Sequence, residues 1–374
     1  MASTDLVGSY SFTKTQTIQY GPNCIKDVLP ALFDRLQVKK AFIVTGNSLK
    51  TKTEVIKQIE GLLGDRHAGT STKISQHTPE EGIRETLKAM ADANADVLLS
   101  VGGGSPIDAC KAIAYFHHEE SGHWLKHIAV PTTLSAAEFT RNAGYTRKGK
   151  KVGVNHPQLA PDAVILDGAL TLSTPLRLWL STGMRALDHA VECQTRTYTP
   201  PPIRSLGLAA IQKFFHLLPA CKADPDNVEI RQRLQIAAWE SMFPFLQEES
   251  KQSGFGLSHA LGYMLGSPYG IPHGITSCLT LATVVRWQAD HASVENKHRL
   301  AQILLLLNEK RLGSVEDDVK RVAELIDGLV DTLELRSGLV EAGMPREDLD
   351  MVIEGAGLKD QDKADMAKLL QARL

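Results

Sequence analysis

The sequence lacks a cysteine pattern, an excess of charge of one sign and any long apolar run. Its 5 cysteines are scattered and never spaced as CxxC, which argues against a disulfide framework or a structural zinc site. The 41 basic and 43 acidic side chains almost cancel, so we expect no nucleic-acid or membrane partner. Residues 1–21 are polar and offer no secretory signal, and no stretch is apolar enough to span a membrane. We therefore expect a cytoplasmic protein.

The pattern along the chain divides it into two parts. A chain of 374 residues exceeds the usual size of one hydrophobic core. Strand-like runs at 11–19, 39–45, 70–74, 96–101 and 127–131 alternate with helical periodicity at 49–63, 79–94 and 106–117, which predicts a parallel sheet covered by helices. Beyond residue 172 almost every pattern is helical, at 175–197, 202–218, 228–248, 256–265, 280–289, 295–307, 315–333 and 346–354. We predict an α/β domain over residues 1–171, an all-helical domain over residues 172–374 and a ligand site between them.

Three consecutive glycines, Gly102, Gly103 and Gly104, follow an apolar strand and open a helix. Glycine lets the backbone approach a pyrophosphate closely, and the helix start presents free N–H groups to the anion. Ser105 can cap that helix. The motif is not GxGxxG, and a triple glycine alone is often only a tight turn. Its position between strand and helix nevertheless favours a phosphate-binding turn, which the polar segment after the next strand would meet at the same sheet edge.

Three histidines in the helical part are candidates for chemistry. Arg185 and His189 are four residues apart and share a helix face, and His259 and Tyr263 repeat this spacing. His273 follows a proline, which predicts a helix start or a turn. A single such histidine is more often a buried core residue. Three of them in glycine-punctuated apolar segments indicate a metal site or a polar carbonyl-binding pocket.

Four segments in this order resemble the iron-type alcohol dehydrogenases: GGGSPID, PTTLSAAEFT, TGMRALDHAVE and GLSHALGYMLGSPYGIPHG. Maleylacetate reductases and their fungal relatives are the nearest branch. The resemblance implies the fold that this family shares with dehydroquinate synthase, in which an α/β dinucleotide-binding domain precedes an all-helical catalytic domain. It also implies that the cofactor is held by Gly102, Gly103, Gly104, Ser105, Asp108, Thr132, Thr133, Leu134 and Lys151.

The metal-dependent members of that family hold a divalent ion with one aspartate and three histidines. The resemblance places His189, His259 and His273 at the histidine positions and Arg185 at the aspartate position. An arginine brings a permanent positive charge, and Asp188 does not share the helix face of its neighbour His189. We therefore expect no catalytic metal and expect Arg185 to polarise a substrate carbonyl or clamp a carboxylate. The alternative is that Arg185 only forms an ion pair with Asp188 or Glu192.

Two further departures concern the cofactor region. Tyr263 stands where many relatives carry a histidine near the nicotinamide. It either donates a proton to the substrate oxygen, provided that Arg185 or a histidine lowers its pKa, or only packs against the ring. Gly46 ends a strand where NAD-selective relatives often carry an acidic residue, so we expect NADPH to be tolerated, with Asn47 or Ser48 donating to its phosphate.

These observations predict an NAD(P)H-dependent oxidoreductase that reduces a small ketone, aldehyde or oxo-acid without a catalytic metal. The alternatives are a metal-dependent alcohol dehydrogenase using His189, His259 and His273, a dehydroquinate-synthase-like lyase and a non-catalytic relative. Arg141, Asn142 and Arg196 are possible carboxylate partners, although a solvated or structural role is favoured for each. By analogy with the family, we expect a homodimer.

Overall fold

Six parallel strands form the main sheet. The structure, a computed structural model, describes residues 9–74, 78–147, 150–246 and 254–374. The strands are β2 (Thr17–Tyr20), β3 (Ala41–Thr45), β4 (His67–Ser71), β5 (Val97–Gly102), β6 (Lys126–Pro131) and β9 (Ala163–Leu166). Their order across the sheet is β2-β9-β6-β5-β3-β4. Every residue of β3, β5 and β9 is buried, which explains why these strands are apolar without alternation.

Helices cover both faces of this sheet. They are α1 (Ile25–Leu36), α2 (Asn47–Lys52), α3 (Val55–Leu63), α4 (Glu80–Asp92) and α5 (Gly104–Ser121). Helices α1 and α3 share one apolar cluster with Leu99 and Val101 of the central strand β5. Helices α4 and α5 share the opposite cluster with Leu98 of the same strand. Alternate residues of one strand therefore serve two separate cores.

The second half of the chain is helical. It contains α6 (Leu176–Thr195), α7 (Pro201–Ala223), α8 (Val228–Ser241), α9 (Leu257–Tyr269), α10 (His273–His291), α11 (Val294–Leu306), α12 (Val315–Thr332), α13 (Leu349–Gly355) and α14 (Asp360–Gln371). One apolar cluster joins Ala129 and Val164 of the sheet to helices α6, α7, α8, α10 and α12. The core is therefore continuous between the halves. The predicted boundary after residue 171 lies within a 3-10 turn, Leu170–Ser173, and stays a prediction.

The structure also contains elements that the sequence patterns did not predict. Strands β7 (Asn142–Arg147) and β8 (Lys150–Asn155) form an antiparallel hairpin. Strand β10 (Phe245–Leu246) pairs with β1 (Ser11–Phe12), which itself lies in the predicted strand-like run over 11–19. The predicted helix over 49–63 is two helices, because Thr53 adopts an extended conformation between them. Within the described ranges, no helix is long and apolar enough to cross a membrane.

Candidate active site

The three glycines at residues 102–104, called the glycine turn below, lie at the carboxyl end of β5, beside the point where the strand order reverses. Strand β3 has β4 on one side and β5 on the other, and ligands of such sheets bind in the crevice at this switch point. Gly102 has a φ of +140°, which side chains rarely adopt. A Cβ on Gly103 would lie 3.1 Å from Thr133, and one on Gly104 would lie 3.3 Å from Ser135. The turn thus needs glycine for both conformation and close packing.

Helix α5 begins at Gly104, with Gly103 as its N-cap, and no described side chain caps it. The predicted cap by Ser105 is therefore wrong, because Ser105 lies inside the first turn. The N–H groups of that turn point out of the helix start, where an anion such as a pyrophosphate is stabilised by hydrogen bonds and by the helix dipole.

The segment after β6 lies against this turn. The N–H of Thr132 donates to the carbonyl of Gly102 at 2.8 Å, and Thr133 packs on Gly103. Leu134 is buried, and its N–H donates to the hydroxyl of Thr182 in α6 at 3.1 Å. Leu134 therefore faces the helical half, whereas the two threonines border the glycine turn.

Gly46 lies next to the glycine turn because β3 and β5 are parallel neighbours. It is the N-cap of α2 with a φ of −81°, and no atom lies within 4 Å of a Cβ added there. The side chains of Asn47 and Ser48 are exposed. The structure thus brings Gly46, Asn47 and Ser48 to the same sheet edge as Gly102.

Two other predicted cofactor residues belong to or contact the β7–β8 hairpin. Asp108 is in the second turn of α5, and its carboxylate accepts a hydrogen bond of 3.3 Å from the N–H of Gly144. It therefore faces the β7–β8 hairpin. Lys151 belongs to β8, but its side chain lies outside the described part of the chain.

Lys111, which the sequence reasoning did not single out, holds the segment that precedes the hairpin. Its fully buried ammonium donates to the carbonyls of Ala137 and Asn142 at 2.6 and 3.0 Å, and to the hydroxyl of Thr140 at 2.8 Å. Burial lowers the pKa of Lys111 to about 8. The available sequence signal was a single lysine in the otherwise apolar segment 109–116.

Helix α6 brings Arg185 and His189 towards α9. Both residues are 8% exposed, and the ring centroid of His189 lies 4.8 Å from that of the fully buried His259. Nδ1 of His189 and Nε2 of His259 have no hydrogen-bond partner among the described residues. Burial and the positive charge of Arg185 lower the pKa of both histidines, that of His259 to about 3. Both rings are therefore neutral at physiological pH.

Glu192, one turn after His189 on α6, caps the start of α9. Its carboxylate oxygens accept hydrogen bonds from the N–H groups of Gly256 at 2.8 Å, Ser258 at 2.7 Å and His259 at 3.3 Å. Nδ1 of His259 also lies 2.7 Å from Oε2 of Glu192. Burial raises the pKa of Glu192 to about 7. This carboxyl group thus positions both the helix and the histidine.

Asp188, which was expected not to share the helix face of His189, joins the same buried network through His259 of α9. Its Oδ1 is 3.6 Å from Nδ1 of His259, because α9 packs over this side of α6. Its Oδ2 accepts hydrogen bonds from Ser258 at 2.9 Å and Ser277 at 2.6 Å. Arg185 donates to Ser277 at 3.3 Å and lies 3.9 Å from Oδ2 of Asp188. The ion pair between Arg185 and Asp188 therefore exists but is too long for a hydrogen bond.

Tyr263 lies one turn after His259 on α9, and His273 packs beside it. The rings of Tyr263 and His273 meet edge to face with centroids 6.4 Å apart, and Tyr263 is 38% exposed. His273 is the first residue of α10, which confirms the predicted helix start. Burial raises the pKa of Tyr263, and the positive charge of Arg185, which lowers this pKa, has the smaller effect. The condition set for proton donation, that Arg185 or a histidine lowers the pKa of Tyr263, is therefore not met.

A cavity of about 260 Å³ lies between the two halves of the molecule. Tyr263 and Phe255 line it from the helical side, and residues 139–142 line it from the sheet side. The ring of Phe255 stacks on His259, with centroids 4.6 Å apart. The cavity therefore borders the histidine group.

The donors of this site do not fit a divalent ion well. Across the described ranges, one group of metal-ligating side chains converges within 4.8 Å, namely Asp188, Glu192 and His259. Both oxygens of Glu192 and one oxygen of Asp188 already accept hydrogen bonds. The guanidinium of Arg185 adds a positive charge that already disfavours protonation of the histidines and opposes a metal cation for the same reason.

Comparison with known proteins assigns both halves of the chain to one protein family. The sequence-family model for iron-containing alcohol dehydrogenase matches residues 15–168. The family model for the C-terminal part of the Fe-containing alcohol dehydrogenases matches residues 179–370. Maleylacetate reductase 2 of Cupriavidus pinatubonensis is 30% identical over 211 residues, which are 56% of each chain. The match thus spans little more than half of that relative. Dehydrogenase FUM7 of Gibberella moniliformis is 28% identical, over 86% of this chain and 85% of its own.

Among solved structures, a putative alcohol dehydrogenase from Ralstonia eutropha JMP134 superposes with a TM-score of 0.84. The two proteins are 25% identical, and the superposition covers 98% of each chain. The predicted fold class, a parallel α/β sheet followed by a helical half, is confirmed.

Proposed function

This chain belongs to the iron-containing alcohol dehydrogenase family, and we propose that it reduces a small ketone, aldehyde or oxo-acid with NAD(P)H and without a catalytic metal. It is an oxidoreductase of the alcohol dehydrogenase type. The observation that carries the finer proposal is the position of Arg185, a permanent cation, beside two neutral buried histidines where a metal-dependent relative would hold its ion.

The sheet edge supports the cofactor part of the proposal. Gly102, Gly103 and Gly104 leave no room for side chains, and the uncapped start of α5 offers N–H groups to a pyrophosphate. Gly46 beside this turn carries no negative charge that would repel a 2′-phosphate, so both NADH and NADPH should be accepted. When bound, the reduced nicotinamide supplies a hydride to the carbonyl carbon of the substrate.

Arg185 stabilises the negative charge that develops on the carbonyl oxygen during that transfer. Its guanidinium makes a single hydrogen bond to a described residue, at 3.3 Å to Ser277, so most of its N–H groups remain for a substrate. A fixed donor in a site with little water stabilises an oxyanion far more than water does. His189 and His259, both neutral, add nitrogens that can accept or donate a hydrogen bond to the same substrate group.

Tyr263 delivers the proton that the alkoxide requires. Burial raises its pKa, so the hydroxyl is protonated at neutral pH but is a weaker acid than an exposed tyrosine, and the proton moves only to a strongly basic alkoxide. It lines the cavity next to the histidine group, within reach of a substrate bound there. A homodimer and a cytoplasmic location stay predictions.

Metal analysis combined with a screen of NADPH oxidation tests the proposal. We expect purified protein to carry no stoichiometric zinc or iron and to oxidise NADPH with a small carbonyl compound at a rate that chelators do not change. Stoichiometric metal whose removal abolishes turnover would instead support the metal-dependent alternative. A lyase that regenerates its cofactor would cause no net consumption of NADPH, and a non-catalytic relative would give no turnover at all.

A further inference from the structure

The cavity between the two halves carries a cationic side chain that the proposed carbonyl chemistry does not use. Arg141 lies at the sheet side of the cavity and is partly buried. Its guanidinium forms no ion pair and no hydrogen bond with the part of the chain that the structure describes. A half-buried guanidinium without a carboxylate partner is uncommon, because Arg is usually buried only when it is paired.

The backbone around Arg141 is held firmly in place. Lys111 binds the residues on both sides of it, through the hydroxyl of Thr140 and the carbonyl of Asn142. The carbonyl of Arg141 itself accepts a hydrogen bond of 3.2 Å from the N–H of His156 at the end of the β7–β8 hairpin. These contacts fix the backbone from which the Arg141 side chain extends, so binding a ligand has to order the side chain alone.

The polar part of the cavity favours an anion. Asn142 and Asn155 face each other across the hairpin and line the cavity next to Arg141, so their amides add hydrogen-bond donors. Arg196 lines the opposite wall, with its guanidinium over the ring of Phe255 at 5.5 Å. No aspartate or glutamate is among the described residues that line the cavity. Arginine is the side chain best suited to bind a carboxylate through two parallel hydrogen bonds.

The rest of the cavity wall is apolar and largely aromatic. Phe139, Phe243, Phe245, Phe255 and Met242 contribute to it. Such a wall stabilises the burial of an apolar or aromatic group by about 25 cal/mol for each Å² removed from water. A small hydrophilic acid would leave this surface exposed, whereas an oxo-acid with an aryl or branched alkyl group would cover it.

We propose that Arg141 binds the carboxylate of an oxo-acid substrate whose bulky apolar group lies against the phenylalanine side chains of the cavity. This inference rests on the proposed function and deepens it, because it selects among ketones, aldehydes and oxo-acids. Arg141 is a binding residue for the acid group, while Arg185 and Tyr263 act on the carbonyl.

Steady-state reduction of 2-oxo-4-phenylbutanoate and of its methyl ester by NADPH tests the inference. Arg141→Gln should lower kcat/KM for the acid by about 10- to 100-fold, the usual effect of losing a hydrogen-bonded charge partner, and change the ester less than about threefold. Arg141→Lys should restore part of the loss for the acid. Arg147→Gln, on the same hairpin but ion-paired with Glu80, is the matched control and should change neither substrate.

The results separate this inference from the proposed function. Equal losses for acid and ester in Arg141→Gln, or a wild-type preference for pyruvate over the phenyl compound, would overturn it. Calorimetric titration with 4-phenylbutanoate, which has no carbonyl to reduce, measures acid binding without turnover. If neither compound oxidises NADPH but 4-phenylbutanoate binds wild type at least tenfold more tightly than Arg141→Gln, the carboxylate site stands and the proposed reductase activity fails.

Discussion

The two halves of the molecule offer different kinds of groups to a ligand. At the sheet edge the contacts come from the backbone, and the side chains are small or absent, as at Gly46 and Gly103. In the helical half the candidate groups are buried side chains that bind one another, with Arg185, Asp188 and Glu192 sharing partners on α9 and α10. A change at the sheet edge should therefore alter ligand preference alone. A change in the helical network should alter chemistry and stability together.

The largest expected effect concerns Arg185. Arg185→Met should lower kcat by about 10²- to 10³-fold, because it removes the preorganised donor to the developing oxyanion. The dissociation constant of NADPH, measured by fluorescence quenching, should stay within about twofold of wild type, because the cofactor contacts lie in the other half. Arg177→Met, on the same helix but bonded to the carbonyl of Glu334, is the matched control. A normal kcat in Arg185→Met would reduce Arg185 to a structural role.

A second effect concerns pH and Glu192. Burial raises the pKa of Glu192 from 4.5 to about 7, so the folded protein holds a proton that the unfolded chain releases. The stability contributed by this group is present below pH 4.5 and is lost as the pH rises through about 7. Glu192→Gln has no such loss. Its free energy of unfolding, relative to that of wild type, should therefore rise by on the order of 2 kcal/mol between about pH 5 and pH 8.

Thermal midpoints of both proteins at these two pH values measure that change. Glu316→Gln serves as the control, because Lys297 lowers the pKa of this carboxyl group below 4.5, so the stability difference between this variant and wild type should hardly change between about pH 5 and pH 8. A difference between Glu192→Gln and wild type that does not change with pH would mean that Glu192 is ionised over the whole range.

The smallest expected effect concerns Gly46 and the choice between NADH and NADPH. Gly46→Asp should shift the ratio of kcat/KM for NADH and NADPH by about tenfold towards NADH, because a carboxylate repels the 2′-phosphate and accepts hydrogen bonds from ribose hydroxyls. The fold should tolerate it, since φ is −81° and no atom lies within 4 Å of the new Cβ. Gly61→Asp, equally open but on α3, should leave the ratio unchanged. A ratio unchanged in Gly46→Asp as well would place the adenosine ribose elsewhere.

The sequence predicted the sheet edge better than the helical network. Buried parallel strands are continuous apolar runs, so β3, β5 and the glycine turn between strand and helix could be located from local patterns. The cap that Glu192 provides for α9 joins residues 64 apart in the chain, and no local pattern encodes such a contact. The β7–β8 hairpin was missed because its strands mix glycine, asparagine and charged residues with few apolar ones.

The buried ammonium of Lys111 has a consequence for how this enzyme can diverge. A single rigid helix, α5, begins at the glycine turn and two turns later fixes the segment that carries Arg141. Any substitution that displaces this helix therefore moves both the glycine turn and the segment that carries Arg141. New specificity is therefore most accessible through cavity residues outside this segment, such as Phe243 and Phe245, and least accessible through exchange of the segment 137–142 that Lys111 holds.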